Sequence, residues 1–146
     1  MGKLTLWPRS GNGATQAIED ALSLATCISL VEDKQMLGEA TQVHNLLRFE
    51  RVSCLQAFGV QNSDNARSKD KDMKSRLPRF GKWIVDHDPA EYARCNFHQA
   101  LAHIRTGAEF KNTNTPPGMV YRPWTIDGLL EAQAKGEPTV FDGDWS

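Results

Sequence analysis

Ala14, Ala17, Ile18, Ala21, Leu24, Ala25, Ile28 and Val31 recur at three- and four-residue intervals, the spacing that gathers side chains on one side of an α-helix. A second run of the same period follows in Met36, Ala40, Val43, Leu47, Cys54 and Phe58, widened by Leu46 and Leu55, and reaches about Asn62. Almost no stretch alternates apolar and polar residues as a half-buried strand does. The chain is therefore expected to be mainly α. Glu32-Asp33-Lys34 breaks the pattern between the two runs. So short a connection predicts an antiparallel helical hairpin over 14–62, packed through the alanine-rich face of one helix and the leucine-rich face of the other.

Glycines stand at the head of the first helix, in Pro8-Arg9-Ser10-Gly11-Asn12-Gly13-Ala14-Thr15-Gln16-Ala17-Ile18-Glu19-Asp20-Ala21. Pro8 keeps regular helix from starting earlier. Gly11 and Gly13 let the chain turn and let another molecule come close to the backbone. Free N–H groups and the positive dipole end of the helix suit an anionic or electron-rich group there. By itself a Gly-x-Gly before a helix is more often a plain turn and cap.

Downstream, Asp64 to Arg76 is almost wholly polar with alternating charge, and 63–78 is expected to be a solvated linker or helix. An apolar island, Phe80, Trp83, Ile84 and Val85, precedes Asp88-Pro89, which suits a helix cap with proline in the first position. That helix should run to about Arg105, bury Tyr92, Phe97, Leu101 and Ile104, and stop at Gly107. Residues 112–118 read as a turn-rich loop. A short helix from Thr125 or Asp127 to Lys135 should end at Gly136, before a tail that docks through Phe141 and Trp145.

Composition removes several functions. Seventeen basic and 18 acidic residues leave a net charge of −1, which argues against a general nucleic-acid binder. No run approaches the roughly 18 apolar residues of a membrane span. Residues 1–7 lack a signal-peptide core, and Leu6 stands where N-myristoylation wants Ser or Thr. Cys27, Cys54 and Cys95 are odd in number and widely spaced, so neither a disulfide framework nor a metal site is expected, and a cytoplasmic setting fits.

The string from Pro8 to Ala21 resembles P-x-x-G-x-G-x-[NT]-Q-A-I-E-D-A of the FAD-dependent aromatic-ring monooxygenases of the salicylate hydroxylase-like group (class A). The likeness is strongest over 8–31 and looser through 36–62, where Phe49, Glu50, Arg51, Gln56 and Asn62 match a long family helix whose Pro-Arg pair is replaced by Ser53-Cys54. Tyr121-Arg122-Pro123-Trp124 and Phe141-Asp142-Gly143-Asp144-Trp145 are similar to the C-terminal segment of relatives. About a third of the chain carries a usable match. The resemblance implies the C-terminal part of an FAD/NAD(P)-binding flavin monooxygenase fold: a flavin-loop remnant (1–13), a helical hairpin (14–62), a charged linker (63–78), and C-terminal helices with a tail (79–146). It also implies that Gly11, Gly13, Ala14 and Thr15 bind FAD, with the backbone N–H groups of Gly13, Ala14 and Thr15 facing the pyrimidine edge of the flavin. No catalytic residue is assigned.

Other family elements have no counterpart. There is no strand followed by G-x-G-x-x-G to hold the FAD pyrophosphate. The Gly-Asp that binds the ribityl chain would fall at Met1, where Gly2 to Trp7 do not match. The chain thus looks like the final quarter to third of a flavin monooxygenase. It is expected not to hold FAD alone, and to self-associate or dock on a larger flavoprotein. The alternative is a small helical interaction or auxiliary protein without redox chemistry.

His44, His87, His98 and His103 form no close pair, and no metal is expected. Glu19 and Asp20 diverge on a helix and do not form an acid–base couple. The four tryptophans, Trp7, Trp83, Trp124 and Trp145, are expected as packing anchors rather than a ligand cage.

Overall fold

The computed structural model describes residues 13–67, 81–135 and 142–145. Gly11, Phe80, Gly136 and Phe141, and most of the expected linker, lie outside these. The described residues contain five α-helices and no strand: α1 (Gly13–Ser29), α2 (Leu37–Arg67), α3 (Lys82–Val85), α4 (Pro89–Thr106) and α5 (Ile126–Ala134). A single 3-10 turn, Lys34–Met36, joins α1 to α2, with the Asp33 carboxylate accepting from the Gln35 N–H at 2.8 Å.

The hairpin is present and antiparallel. Residues advancing along α1 meet residues receding along α2: Gln16 bonds Arg48, and Ser23 bonds His44. α2 runs five residues beyond the expected end at Asn62, so it takes the first part of the charged stretch into its last turns. Alternating charge is compatible with an exposed helix as well as with a linker.

α4 makes the hairpin a three-helix body, since it packs on both α1 and α2. The core joins Cys27 of α1, Ala40, Val43 and Leu47 of α2, and Ala93, Phe97, Ala100 and Leu101 of α4. Small residues at Ala40, Ala93 and Ala100 let the helices come close. Both ends of α4 form as its residues predict. Asp88 accepts from the Ala90 and Glu91 N–H groups, Pro89 occupies the first position, and Gly107 ends the helix at φ 72°. Glycine takes that left-handed conformation without the steric cost of a side chain.

A second, smaller cluster centres on Leu55, Phe58 and Ile84, with Trp83 and Trp145 against it. Trp145 lies parallel to Phe58 at 6.4 Å and edge-on to Trp83 at 5.7 Å, so the tail docks through this tryptophan as expected. Thr125 opens α5, its hydroxyl accepting from the Gly128 N–H.

The packing of α1 departs from expectation. Its buried residues are Gln16, Glu19, Ser23 and Cys27. Ala14, Ala17, Ala21 and Ala25 are exposed, and so are Ile18 (62%), Leu22 (46%) and Ile28 (42%). The hairpin does not close through the alanine face. Alanines offer little apolar area to bury, whereas Gln16 Oε1, the Glu19 carboxylate and the Ser23 hydroxyl on the opposite stripe find hydrogen-bonding partners on α2. Burial of a polar group is tolerated when it is so satisfied.

This arrangement separates two substitutions. Phe97→Ala should lower the unfolding free energy of the isolated chain by about 3–5 kcal/mol in urea titrations. Ile18→Ser, on the outer side of α1, should change it by less than about 0.5 kcal/mol. A large loss from Ile18→Ser would place that side in the core.

Candidate functional site

The first turn of α1 holds three of the four sequence-assigned residues. Gly13 is half-buried, and Ala14 and Thr15 are exposed. Gly11 lies outside the described residues. A methyl group built on Gly13 would meet nothing within 4 Å, and its φ is not positive. Neither crowding nor backbone conformation within this chain requires glycine there. The space a side chain on Gly13 would take is open.

A polar clamp fixes this turn. One guanidinium, Arg48, reads three residues of α1: Nη2 donates to Gln16 Oε1 at 2.7 Å, Nη1 to Glu19 Oε2 at 2.6 Å, and Nε to Asp20 Oδ1 at 2.7 Å. These three lie at i, i+3 and i+4, so the contacts fix the rotation of α1 about its own axis. Arg51, one turn further along α2, has no exposed surface. Its Nε and Nη2 form a two-pronged pair with the Glu19 carboxylate at 2.8 and 3.0 Å. Nη1 donates to the carbonyls of Trp83 and Asn114, and Nη2 also to that of Ile84. All five N–H donors of Arg51 are thereby used. The guanidinium also lies 5.5 Å from the centre of the Trp83 ring.

Two arginines against Glu19 and Asp20 make the cluster neutral. Desolvation alone would raise the Glu19 carboxyl, but hydrogen bonds and charge from Arg51, then Arg48, outweigh it and hold the group at about 2. Asp20 is 47% exposed, at the edge of a groove of about 580 Å³ walled by Phe49, Tyr121 and Trp124. Its link to Arg48 is correspondingly weaker than the buried Glu19 pair. The loop 112–118 completes the support. Asn112 and Asn114 are buried and donate through Nδ2 to the Leu46 and Leu47 carbonyls of α2.

Four buried side-chain atoms among the described residues lack a partner: Gln16 Nε2, Trp83 Nε1, His87 Nε2 and Asn114 Oδ1. Gln16 belongs to the site. Its oxygen is held by Arg48, so the unpaired atom is the donor end of the amide.

The other residues weighed from sequence fall into ordinary roles. His44 touches Ser23, and its pKa is lowered by burial. His87, edge-on to Tyr92, is lowered to about 4 by burial and then by the Arg51 charge. His103 Nδ1 meets the Ala108 carbonyl where α4 ends. Among the described residues no cluster suits a metal ion. Burial pushes the thiols of Cys27 and Cys54 up to about 11 and 12, so neither is a nucleophile at neutral pH. Phe49 is 60% exposed and meets Tyr121 edge-on, while Arg122 pairs with Asp142 at 3.0 Å.

The clamp itself is absent from the sequence reading. Its signal was present in Glu19-Asp20 on one helix and Arg48-x-x-Arg51 on the next, at spacings that oppose each other in an antiparallel hairpin.

The first helix of this segment is thus locked by buried ion pairs, with its outer side left apolar. The chain corresponds in sequence to a part of the FAD-dependent monooxygenases. It is 44% identical over 146 residues to FAD-dependent monooxygenase mdpD of Emericella nidulans, which covers 95% of this chain and 28% of that protein. It is 47% identical over 148 residues to FAD-dependent monooxygenase dmxR9 of Cryptosporiopsis sp., and 43% identical over 148 residues to FAD-dependent monooxygenase fsr3 of Gibberella fujikuroi, with the same coverage. The chain spans about 28% of the length of these curated relatives, within the quarter to third expected from its motifs. No family model matches. Among solved structures it resembles CtdE, crystallised with FAD and substrate, at a TM-score of 0.61 and 30% identity over 68% of this chain and 24% of that one. It also resembles FqzB at 0.65 and 27% identity, over 75% and 26%. The reading as a small non-redox helper is not favoured by these likenesses. No described helix is long and apolar enough to cross a membrane.

The clamp and His87 predict a two-stage acid response. Below pH 6.5 the unfolded chain takes up a proton at His87 that the folded chain refuses until about pH 4, so stability falls across that window. Glu19 contributes stability that is complete above pH 4.5 and is lost as pH falls towards 2. Urea titrations from pH 7 to 3 should show both stages. His87→Gln should shrink the upper one, leaving the share of His44, whose pKa burial also lowers, and Glu19→Gln should shrink the lower. Stability that is flat from pH 7 to 4.5 would contradict the buried, neutral His87.

Proposed function

We propose that this chain is the helical wall of an FAD-dependent monooxygenase, that Gly11, Gly13, Ala14 and Thr15 belong to its flavin-binding segment, and that Gly13, Ala14 and Thr15 present backbone N–H groups to the pyrimidine edge of the flavin. The carrying observation is the combination at α1. Its first turn is open above Gly13, its inner stripe is locked by Arg48 and Arg51, and its outer side exposes Ile18, Leu22 and Ile28.

When bound, the flavin supplies oxygen activation, with NAD(P)H as reductant, for hydroxylation of an aromatic or polyketide-like substrate by the whole protein. This chain's part is electrostatic. The positive end of α1 favours negative charge at the pyrimidine edge, and the clamp holds that dipole in a fixed direction, so no reorientation is needed as the charge develops. Neither Glu19 nor Asp20 takes part as acid or base, since both are committed to arginine.

The partner in this reading is the remainder of a flavoprotein, and the exposed side of α1 is where it docks. An exposed apolar patch of a few hundred Å² is the size at which association is expected. Self-association through the same side is the fallback when that partner is absent. The free thiols are in keeping with a cytoplasmic setting.

The test is a chimera of the Emericella nidulans relative in which this chain replaces the matching segment. The purified chimera should be yellow with near-stoichiometric FAD, and the chain alone colourless. Ala21→Asp should leave the helicity of the isolated chain intact and abolish flavin uptake by the chimera. A chimera that folds without FAD, or one indifferent to Ala21→Asp, would overturn the reading.

A further inference from the structure

A groove of about 580 Å³ runs between α2, the Asp20 edge of α1 and the segment 121–126. Its volume falls within the roughly 300–1,000 Å³ of small-molecule sites. Three aromatic rings line it. Phe49 is 60% exposed and meets Tyr121 edge-on at 5.5 Å, and the Trp124 indole N–H donates to Ser53 Oγ at 2.8 Å. These contacts hold the rings in place before any ligand arrives.

Polar groups line the same space. His44 Nδ1 meets Ser23 Oγ at 3.1 Å, which leaves Nε2 for a ligand. Asn45 is exposed and Gln56 half-buried, and neither side chain has a hydrogen-bonding partner among the described residues. The charged residues of the lining, Asp20 and Arg48, are paired with each other at 2.7 Å. Burial lowers the His44 pKa, so its imidazole is neutral at pH 7. The groove therefore offers rings together with neutral donors and acceptors, and no unpaired charge. The outer side of α1 is different in kind, since it presents the aliphatic side chains of Ile18, Leu22 and Ile28.

We propose that this groove binds a flat, uncharged aromatic molecule bearing hydroxyl or carbonyl groups, with its ring against Phe49, Tyr121 and Trp124 and its oxygens hydrogen-bonded by His44, Asn45 and Gln56. The site is separate from the flavin contact assigned to Gly13, Ala14 and Thr15 and does not rest on it. Contact with aromatic walls favours an aromatic ring over a saturated one of the same size. An anion would give up its hydration and find no free counter-charge.

The probe is 1-naphthol, with 1-naphthoate as the anionic control and decahydro-1-naphthol as the saturated one. Titrated into the isolated chain at pH 7, 1-naphthol should bind saturably at one site and shift the backbone amide NMR signals of Asn45, Phe49 and Gln56. Both controls should bind at least about tenfold more weakly. Phe49→Ala should lower 1-naphthol affinity by at least about tenfold with helicity unchanged, because the ring is exposed, and Phe49→Tyr should restore it. Binding that does not saturate, shifts centred on Ile18 and Leu22, or equal affinity for all three compounds would overturn the proposal. In the chimera, Phe49→Ala should again weaken 1-naphthol binding. A yellow chimera whose 1-naphthol binding ignores Phe49→Ala has the groove filled by the rest of the protein, which defeats this inference and leaves the flavin reading standing. A colourless chimera with Phe49-dependent binding does the reverse.

Discussion

The buried pair between Glu19 and Arg51 is the interaction on which the rest of this structure depends. It joins the inner side of α1 to the middle of α2, and the same guanidinium reaches the carbonyls of Trp83, Ile84 and Asn114. A single side chain therefore ties together two long helices, the short α3 and the loop after α4. Removing Arg51 would leave the buried Glu19 carboxylate with Arg48 alone and take the guanidinium from three carbonyls at once. Such a loss is worth several kcal/mol even though the intact pair adds little net stability over an apolar equivalent. What the pair supplies is direction. α1 has one rotational setting in which Gln16, Glu19 and Asp20 all meet Arg48, and its first turn points accordingly.

That setting explains a helix that looks inside out. An isolated amphipathic helix would bury Ile18, Leu22 and Ile28 and expose Glu19. Here the charges are inside because their partners are, and the aliphatic side is exposed. The relation to FAD-dependent monooxygenases about three and a half times as long gives this a simple physical sense. The chain is organised as a part, with one side committed internally and the other side apolar.

Much of the fold was legible in the residues. Helical period located α1 and α2, Asp88-Pro89 and Gly107 delimited α4, and Trp145 docks the tail. Each is a local rule with a local cause. What could not be read was the side of α1 that turns inward, because two stripes on it are plausible and only the pairing with Arg48 and Arg51 decides between them. The span from Asp64 to Arg67 is helical, one of the two forms its alternating charge allows. Of the site, the glycine-headed turn was visible as a motif and the clamp behind it was not. Gln16 appeared in the motif only as a letter of the pattern, and its half-used amide is a property of three dimensions.

The central claim is that α1 is held by its polar stripe, and a double-mutant cycle on Glu19 and Arg51 tests it most directly. Unfolding free energies of the wild type, Glu19→Gln, Arg51→Met and the double variant give the coupling between the two side chains. A buried, two-pronged pair should show a coupling of about 2–3 kcal/mol, with the double variant more stable than Arg51→Met alone. A coupling below about 0.5 kcal/mol, the range of exposed ion pairs, would mean that α1 is held by its apolar side after all.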